Sequence, residues 1–342
     1  MKLDERWADA VVDSVQPLSP TVRGLRLRPA QGVQPWTLGS HVRVQVQVDG
    51  REEVRSYSLV GLPQDSLAAG CWQIAVKRAE PGRGGSRAMW QLQPGDRLRV
   101  AGPDNHFGLA PATAGAAHRP VLLVAGGIGI TPLLGMAQFL AAQGAPVRLC
   151  YAVREPAELV WVDTLRSALG DRLSTHVSSL GQRLDLAREV AALPAGAQLW
   201  ICGPASMLQA AQAAWRAAGR PAAHLRFETF GSSGTQAAQA FWVRVPRQGL
   251  AFEVPAGRSL LDVLNEQGVD TLADCRRGEC GLCAVDVLEL EGRIDHRDVF
   301  LSGPERQDNR RLCACVSRVC GGGIVIDSAW RPDPPRPAPA HR

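Results

Sequence analysis

Six of the nine cysteines in this 342-residue chain crowd into a short stretch near its C-terminal end. Three form the run Cys275-Arg-Arg-Gly-Glu-Cys280-Gly-Leu-Cys283, a C-x4-C-x2-C spacing that further cysteines follow. Such a run suits a [2Fe-2S] cluster, because each iron takes two thiolates and a tight loop must wrap around the cluster. Gly278 and Gly281 would let backbone N–H groups approach its sulfides. A structural zinc site usually shows paired C-x2-C knuckles, so the spacing predicts the iron–sulfur cluster.

The residues alone leave the fourth thiolate open. Cys313 fits the x29 spacing after Cys283, and Cys315 lies two positions later. Positions two apart in a strand face the same side, so geometry excludes neither. The cysteines outside the cluster, among them Cys71, Cys150, Cys202 and Cys320, read as buried thiols.

A second candidate site is the glycine turn Gly126-Gly127-Ile128-Gly129-Ile130-Thr131-Pro132. It follows the apolar strand pattern of residues 121–125 and opens a helix with Pro132 in its first turn. Glycines at such a turn let a pyrophosphate approach the helix N-terminus, although the spacing differs from G-x-G-x-x-G. Cys202-Gly203-Pro204 similarly ends a later strand and precedes a helix. The pattern predicts a nucleotide-binding domain.

A third candidate site combines Arg55-Ser56-Tyr57-Ser58, at the end of a predicted strand, with Lys77 and with Arg83-Gly84-Gly85-Ser86. Backbone N–H groups of a glycine loop bind phosphate, and Arg binds it by bidentate contact. On its own the R-x-Y-S pattern is weak, because an exposed strand edge would carry similar residues. The two segments together favour an anion site.

Three domains must position these residues. The first shows β alternation, as in Val42, Val44, Val46 and Val48, and predicts a small antiparallel barrel. The second alternates apolar strands with Ala- and Leu-rich helices, which is typical of a parallel α/β sheet. A small polar linker precedes the third, in which Ser259 and Asp262 predict a capped helix. The predicted boundaries are 1–112 for the barrel, 113–231 for the α/β domain, 232–240 for the linker, 241–330 for the cysteine-containing domain and 331–342 for a disordered, proline-rich tail.

Charge and hydropathy exclude several classes of protein. The net charge of +5 is modest and the basic residues are dispersed, so nucleic-acid binding is not expected, whereas an acidic protein partner would fit. Residues 121–147 are uncharged and long enough to cross a bilayer. Their glycines and Pro132 split them into a strand, a turn and a helix, so we expect no membrane span. The charged start, Met1 to Arg6, predicts a cytoplasmic protein without a secretory signal.

With CRRGECGLC, DHRD at 295–298 and ACVSR at 314–318, the third domain resembles the plant-type, β-grasp ferredoxin domain of the phthalate dioxygenase reductase and vanillate demethylase reductase family. This family lies in the ferredoxin-NADP reductase superfamily. The resemblance covers roughly residues 7–328 and implies a flavin-binding barrel, a nicotinamide-binding α/β domain and a ferredoxin domain, in that order. Because Cys315 lies in the family's CVSR context, the resemblance favours it over Cys313 as the fourth ligand. DHRD is expected to be a turn anchored by charged side chains.

The resemblance also implies roles for the other motifs. Arg55 pairs with the flavin phosphate, Tyr57 packs by the isoalloxazine and Ser58 approaches its reactive edge. Thr131 lies close to the nicotinamide, while Cys202 and Glu228 lie near the hydride-transfer centre; a buried thiol and a solvated acid are the alternatives. The remaining residues expected to bind cofactor are Ser56, Lys77, Arg83, Gly84, Gly85, Ser86, Gly126, Gly127, Gly129, Pro132, Gly203 and Pro204.

FMN and NADH are the cofactors that the resemblance favours. The residues by themselves do not separate FMN from FAD. For NADH against NADPH the loop of residues 151–155 offers both signs, since Glu155 could bond a free 2′-OH and Arg154 a 2′-phosphate.

The predicted function is that of a reductase component, passing electrons from NADH through FMN and the [2Fe-2S] cluster to a terminal oxygenase of the Rieske type. A self-standing NAD(P)H-dependent oxidoreductase or a redox carrier without an oxygenase partner is the alternative. Arg276 and Arg277, inside the cysteine loop, are expected to be solvated and to steer an acidic partner.

Overall fold

The computed structural model describes residues 7–48, 50–79, 84–109, 119–230 and 238–328. The chain divides into two compact units, Met1–Phe230 and Gly231–Arg342. Most of the predicted linker and the whole predicted tail lie outside the described residues. Every helix in the described ranges is too short or too polar to span a membrane.

The first part of unit one is an antiparallel barrel of six strands in the order β4-β3-β6-β1-β2-β5. The predicted alternation is confirmed in β3, where Val42, Val44, Val46 and Val48 point into the core. Two short helices join strands of this barrel. The elements are β1 (Ala8–Ser19), β2 (Val22–Pro29), β3 (His41–Val48), β4 (Arg51–Ser58), α1 (Pro63–Ala69), β5 (Trp72–Lys77), α2 (Gly85–Gln91) and β6 (Arg97–Asp104).

The second part of unit one is a parallel five-stranded sheet in the order β11-β10-β7-β8-β9. Its central strand β7 is buried along its whole length, as expected for a strand covered on both faces. The elements are β7 (Val121–Gly126), α3 (Thr131–Ala142), β8 (Val147–Val153), α4 (Val162–Leu169), β9 (Leu173–Val177), α5 (Leu186–Ala191), β10 (Gln198–Cys202), α6 (Ala205–Ala217) and β11 (Leu225–Glu228).

Unit two has a β-grasp architecture, with a mixed sheet in the order β13-β12-β18-β14-β16 and a separate antiparallel pair of β15 and β17. The predicted cap of α7 is confirmed, since the Ser259 hydroxyl accepts a hydrogen bond from the Asp262 N–H at 3.1 Å. The elements are β12 (Phe241–Val245), β13 (Leu250–Val254), α7 (Leu260–Glu266), β14 (Ala284–Leu290), β15 (Arg293–Asp295), α8 (Gly303–Asp308), β16 (Arg311–Cys313), β17 (Arg318–Cys320) and β18 (Gly323–Asp327).

Candidate functional site

The predicted anion-binding residues of the barrel meet where β4 passes the start of α2. A Cβ atom on Gly85 would collide with the Arg55 guanidinium, so the glycine lets this side chain lie against the start of α2. The same guanidinium contacts the Glu53 carboxylate at 2.5 Å. The Ser86 hydroxyl accepts a hydrogen bond from the backbone N–H of Ala79 at 3.1 Å. Arg83 lies outside the described residues.

The other two residues of the barrel motif lie beside the barrel core. Tyr57 is half-buried and packs against that core. Ser56 is also half-buried and lies opposite Arg43 in the β3–β4 pair. Both residues therefore lie on β4, the strand that also carries Arg55 and Ser58.

Ser58 and Glu228 are brought together although 170 residues separate them. The Ser58 hydroxyl donates a hydrogen bond of 3.3 Å to the Glu228 carboxylate, and both residues are buried. The parallel β10–β11 pair places Glu228 directly opposite Cys202, which is also buried. Three of the four predicted catalytic residues therefore belong to adjoining strand ends, and Glu228 is not the solvated acid that was the alternative.

The two predicted nucleotide turns touch each other at the carboxyl ends of β7 and β10. A Cβ atom on Gly126 would clash with the Pro204 ring, and one on Gly129 would overlap the Cys202 carbonyl. Residues 127–130 form a short 3-10 turn, in which Gly127 has a φ of 55°. The glycines are therefore required by close backbone approach as well as by turn conformation.

Thr131 is the first residue of α3 and is buried. Its hydroxyl donates a hydrogen bond of 2.9 Å to the Ile128 carbonyl, within the turn itself. Pro132 follows in the first turn of the helix, as predicted. The Thr131 side chain is thus fixed at the helix entrance.

Lys77, at the end of β5, lies beside the nucleotide turn. A Cβ atom on Gly127 would be 3.8 Å from the Lys77 ammonium. That ammonium pairs at 2.5 Å with Glu158, a residue that the sequence analysis did not single out. Glu158 lies shortly after the end of β8, and this position was the only sequence signal that it could be near the nucleotide. The sequence instead offered Arg154 and Glu155 as contacts of the adenosine 2′ position, and both of these are exposed.

The cysteine loop wraps its backbone around the first thiol. The Cys275 sulfur accepts N–H hydrogen bonds from Arg277, Glu279 and Cys280, each of 3.4 Å. Gly278 has a positive φ of 76°, and a Cβ atom there would clash with the backbone of Asp298. These contacts show the donor pattern expected of a loop that holds a sulfur cluster.

The remaining thiols lie on the other side of the loop. The Cys283 and Cys315 sulfurs are 3.1 Å apart, within hydrogen-bond distance for two sulfur atoms. Hydrogen bonds from the Cys313 and Cys315 thiols lower the pKa of Cys283, and the same contacts raise the pKa of both partners. Cys313 has no exposed surface, whereas Cys315 is 7% exposed. Cys313 and Cys315 therefore both contact Cys283, and Cys313 is the more deeply buried of the two.

The donor set of the cysteine loop fits an iron–sulfur cluster, whose irons take thiolate ligands. The Cys280 N–H donates to the Cys275 sulfur at 3.4 Å, and the Cys283 and Cys315 sulfurs are 3.1 Å apart. The thiols that two irons would need are therefore present around one loop.

The DHRD segment, residues 295–298, packs against the cysteine loop and is held by buried hydrogen bonds. Asp298 is buried and accepts hydrogen bonds from the Leu301 N–H at 2.8 Å and the Ser317 hydroxyl at 3.1 Å. Burial would raise the Asp298 pKa, but hydrogen bonds from His296 and from the Leu301 N–H, together with the charges of Arg306 and His296, hold it below its usual range. The Val299 N–H also donates to the Gly278 carbonyl at 2.9 Å. The motif is an anchored turn, as predicted.

The expectation that both loop arginines are solvated is correct for Arg276 and wrong for Arg277. Arg276 is exposed and pairs with Asp262 at 3.3 Å. Arg277 is only 8% exposed and pairs with Glu279 at 3.4 Å, because the loop turns its side chain inward. Only Arg276 can contribute to a basic surface.

Two family models match the chain. The oxidoreductase FAD-binding domain matches residues 9–108, and the 2Fe-2S iron-sulfur cluster binding domain matches residues 243–320. The matches cover the barrel and the cysteine-containing unit. The chain therefore binds a flavin and a [2Fe-2S] cluster.

Full-length relatives and a solved structure are also similar. The chain is 37% identical over 321 residues to the heme-dependent oxidative N-demethylase beta subunit of Ectopseudomonas mendocina (strain ymp), covering 93% of this chain and 98% of that protein. It is 34% identical over 329 residues to the carnitine monooxygenase reductase subunit of Escherichia coli (strain K12), covering 95% and 99%. Phthalate dioxygenase reductase, described as a modular structure for electron transfer from pyridine nucleotides to [2Fe-2S], superposes with a TM-score of 0.74 at 30% identity, covering 94% of this chain and 98% of that one.

Proposed function

Given that this chain belongs to the family of flavin- and [2Fe-2S]-containing reductase subunits of oxygenase and demethylase systems, we propose that it passes electrons from NADH through FMN and the [2Fe-2S] cluster to a terminal oxygenase. When bound, the flavin would supply two-electron hydride acceptance from NADH and the cluster would supply one-electron transfer to the partner. The protein binds and orients these groups.

The residues of unit one would hold the nucleotide and the flavin. Lys77 and the Gly127 turn offer a cation and a close backbone approach to phosphate. Arg55, packed on Gly85, offers a second cation at the glycine loop of the barrel. The chain thus offers one cation at each glycine segment, as a phosphorylated flavin and a nicotinamide nucleotide together would require.

The buried Ser58–Glu228 pair supports the hydride-transfer role implied by the family resemblance. The Glu228 carboxylate fixes the direction of the Ser58 hydroxyl, which is set on a rigid strand end. A hydrogen bond in a site without water is stronger than one in solution, so the hydroxyl keeps its orientation. Cys202, opposite Glu228 in the neighbouring strand, would complete the wall against which the nicotinamide lies.

We assign the cluster to Cys275, Cys280, Cys283 and Cys315. Cys313 and Cys315 both contact Cys283, and the choice of Cys315 is supported by its shallower position and by its place in the CVSR motif of the family resemblance. The N–H donors around Cys275 support the other end of the loop. The choice of FMN rests on the family resemblance of the motifs and the domain order; the family model that matches the barrel is described as FAD-binding, so the identity of the released flavin tests this choice.

One observation carries the proposal of an oxygenase partner: full-length relatives, aligned over 93% and 95% of this chain, are subunits of demethylase and monooxygenase systems. The test is copurification of the tagged chain with a candidate oxygenase, followed by anaerobic addition of NADH. We expect the oxygenase metal centre to be reduced only when this chain is present. Rapid NADH oxidation with small acceptors and none with any candidate oxygenase would instead support the self-standing oxidoreductase.

A further inference from the structure

One ion pair joins the barrel to the α/β domain beside the nucleotide turn. Lys77 ends the barrel strand β5, and Glu158 lies in the 3-10 turn after β8. Their charged atoms are 2.5 Å apart, and the Glu158 side chain is only 14% exposed. The contact is therefore sheltered more than an ordinary surface ion pair.

The Glu158 carboxylate is fixed by its surroundings as well as by Lys77. Its second oxygen accepts a 3.3 Å hydrogen bond from the Arg154 N–H. Its backbone carbonyl accepts a 3.1 Å bond from the Tyr151 hydroxyl. Burial would raise the Glu158 pKa, but the hydrogen bond and charge of Lys77 and the backbone donors hold it below its usual range. Glu158 is consequently an anion at neutral pH.

The position of this pair conflicts with the binding of another anion. Lys77 lies beside Gly127, at the carboxyl end of β7, where ligands of open α/β sheets bind. β8 pairs with β7 directly, Gly126 opposite Ala152, so the turn that carries Glu158 follows the same edge. A pyrophosphate at the glycine turn would meet the Lys77 cation and the Glu158 anion together. Two anions compete for one ammonium.

We propose that Glu158 is an affinity-determining residue, an internal counter-anion that the nucleotide pyrophosphate must displace from Lys77. The inference rests on the proposed use of a nicotinamide nucleotide. The pair neutralises Lys77 between turnovers and weakens nucleotide binding, without a part in the chemistry. Removing the Glu158 charge should strengthen binding of any ligand that carries the pyrophosphate.

The test is steady-state ferricyanide reduction by the holoenzyme. Glu158→Gln should lower the KM for NADH about twofold to fivefold, the range expected for a partly exposed ion pair, with kcat within about twofold. NADPH should gain by the same factor, because both nucleotides carry the pyrophosphate. Lys77→Met should raise KM, and Glu158→Gln should add nothing in that background. Asp163→Asn, which removes an exposed pair with Arg166 in the same domain, is the matched control and should leave KM unchanged.

Binding of ADP-ribose, measured by calorimetry, separates this inference from the proposed function. ADP-ribose has the pyrophosphate but no nicotinamide, so its affinity should rise in Glu158→Gln whether or not the enzyme turns over NADH. Unchanged or weaker ADP-ribose binding in a folded Glu158→Gln protein overturns the inference, as does a gain confined to NADPH. If Glu158→Gln does not fold, Glu158→Asp decides: its shorter side chain should lower KM by a smaller factor, and an unchanged or higher KM again overturns the inference.

Discussion

Replacing each candidate fourth ligand separately tests the architecture of the cluster site. Cys315→Ser should lose the cluster, because it removes the less deeply buried of the two thiols that contact Cys283. Iron and acid-labile sulfide should fall from two each per chain to nearly none, as the [2Fe-2S] formula requires. NADH-dependent ferricyanide reduction should persist, since its residues lie in unit one.

Cys313→Ser is the matched control, and we expect it to lower the stability of unit two without removing the cluster. Cys313 has no exposed surface and packs in the core of unit two. Burying a serine hydroxyl there should cost about 1–3 kcal/mol. For a domain of this size, 1 kcal/mol lowers Tm by about 4–8 °C. We therefore expect a lower Tm with the cluster retained.

Iron and sulfide analysis, visible absorption and thermal unfolding of protein purified without oxygen distinguish the two variants. Both candidate thiols contact Cys283, so the difference in depth decides between them. If Cys313→Ser lost the cluster while Cys315→Ser kept it, the assignment of Cys315 would be wrong. Zinc in place of iron in the unmodified protein would refute the cluster itself.

Four further predictions concern the flavin, the hydride site, the docking edge and the stability of unit two. Flavin released by heat should be FMN by chromatography, and FAD would contradict this. Ser58→Ala should lower kcat for NADH-dependent ferricyanide reduction about tenfold to a hundredfold with little change in KM, because it removes a positioned hydroxyl and not a phosphate contact; an unchanged kcat would remove Ser58 from the site. Arg276→Glu should slow electron transfer to the oxygenase and weaken its salt dependence in stopped-flow experiments, and transfer that is unchanged at every ionic strength would exclude this edge. Arg277→Glu should instead destabilise unit two by about 3–5 kcal/mol in denaturant unfolding, since it leaves a buried charge without its partner; a stability within about 1 kcal/mol of the wild type would show that the pair is not buried in solution.

The difference between Arg276 and Arg277 shows a limit of reading the loop as sequence. Both are charged residues in a glycine-containing loop, and charge alone predicts solvation for both. The positive φ of Arg276, at 51°, changes the direction of the chain within the loop. Local backbone conformation therefore decides which arginine faces the solvent.

Glu158 shows a second limit. It stands in an ordinary surface-like stretch, Glu155-Pro-Ala-Glu158, and nothing in that spacing connects it with Lys77. The two residues are 81 positions apart and belong to different domains of unit one. Only the packing of the barrel on the α/β sheet brings these two side chains together.

The sequence by itself determined those features that depend on residues close together along the chain. The cysteine spacing, the glycine turn after an apolar strand and the alternating valines of β3 each depend on neighbours a few residues away, so they predicted the cluster loop, the nucleotide turn and the barrel. Tertiary structure alone decided which distant groups meet: Ser58 with Glu228, Lys77 with Glu158, and Cys283 with both Cys313 and Cys315. These contacts depend on how separate strands end at a common edge, and burial and hydrogen bonding, not residue type, then set the charge and orientation of each group.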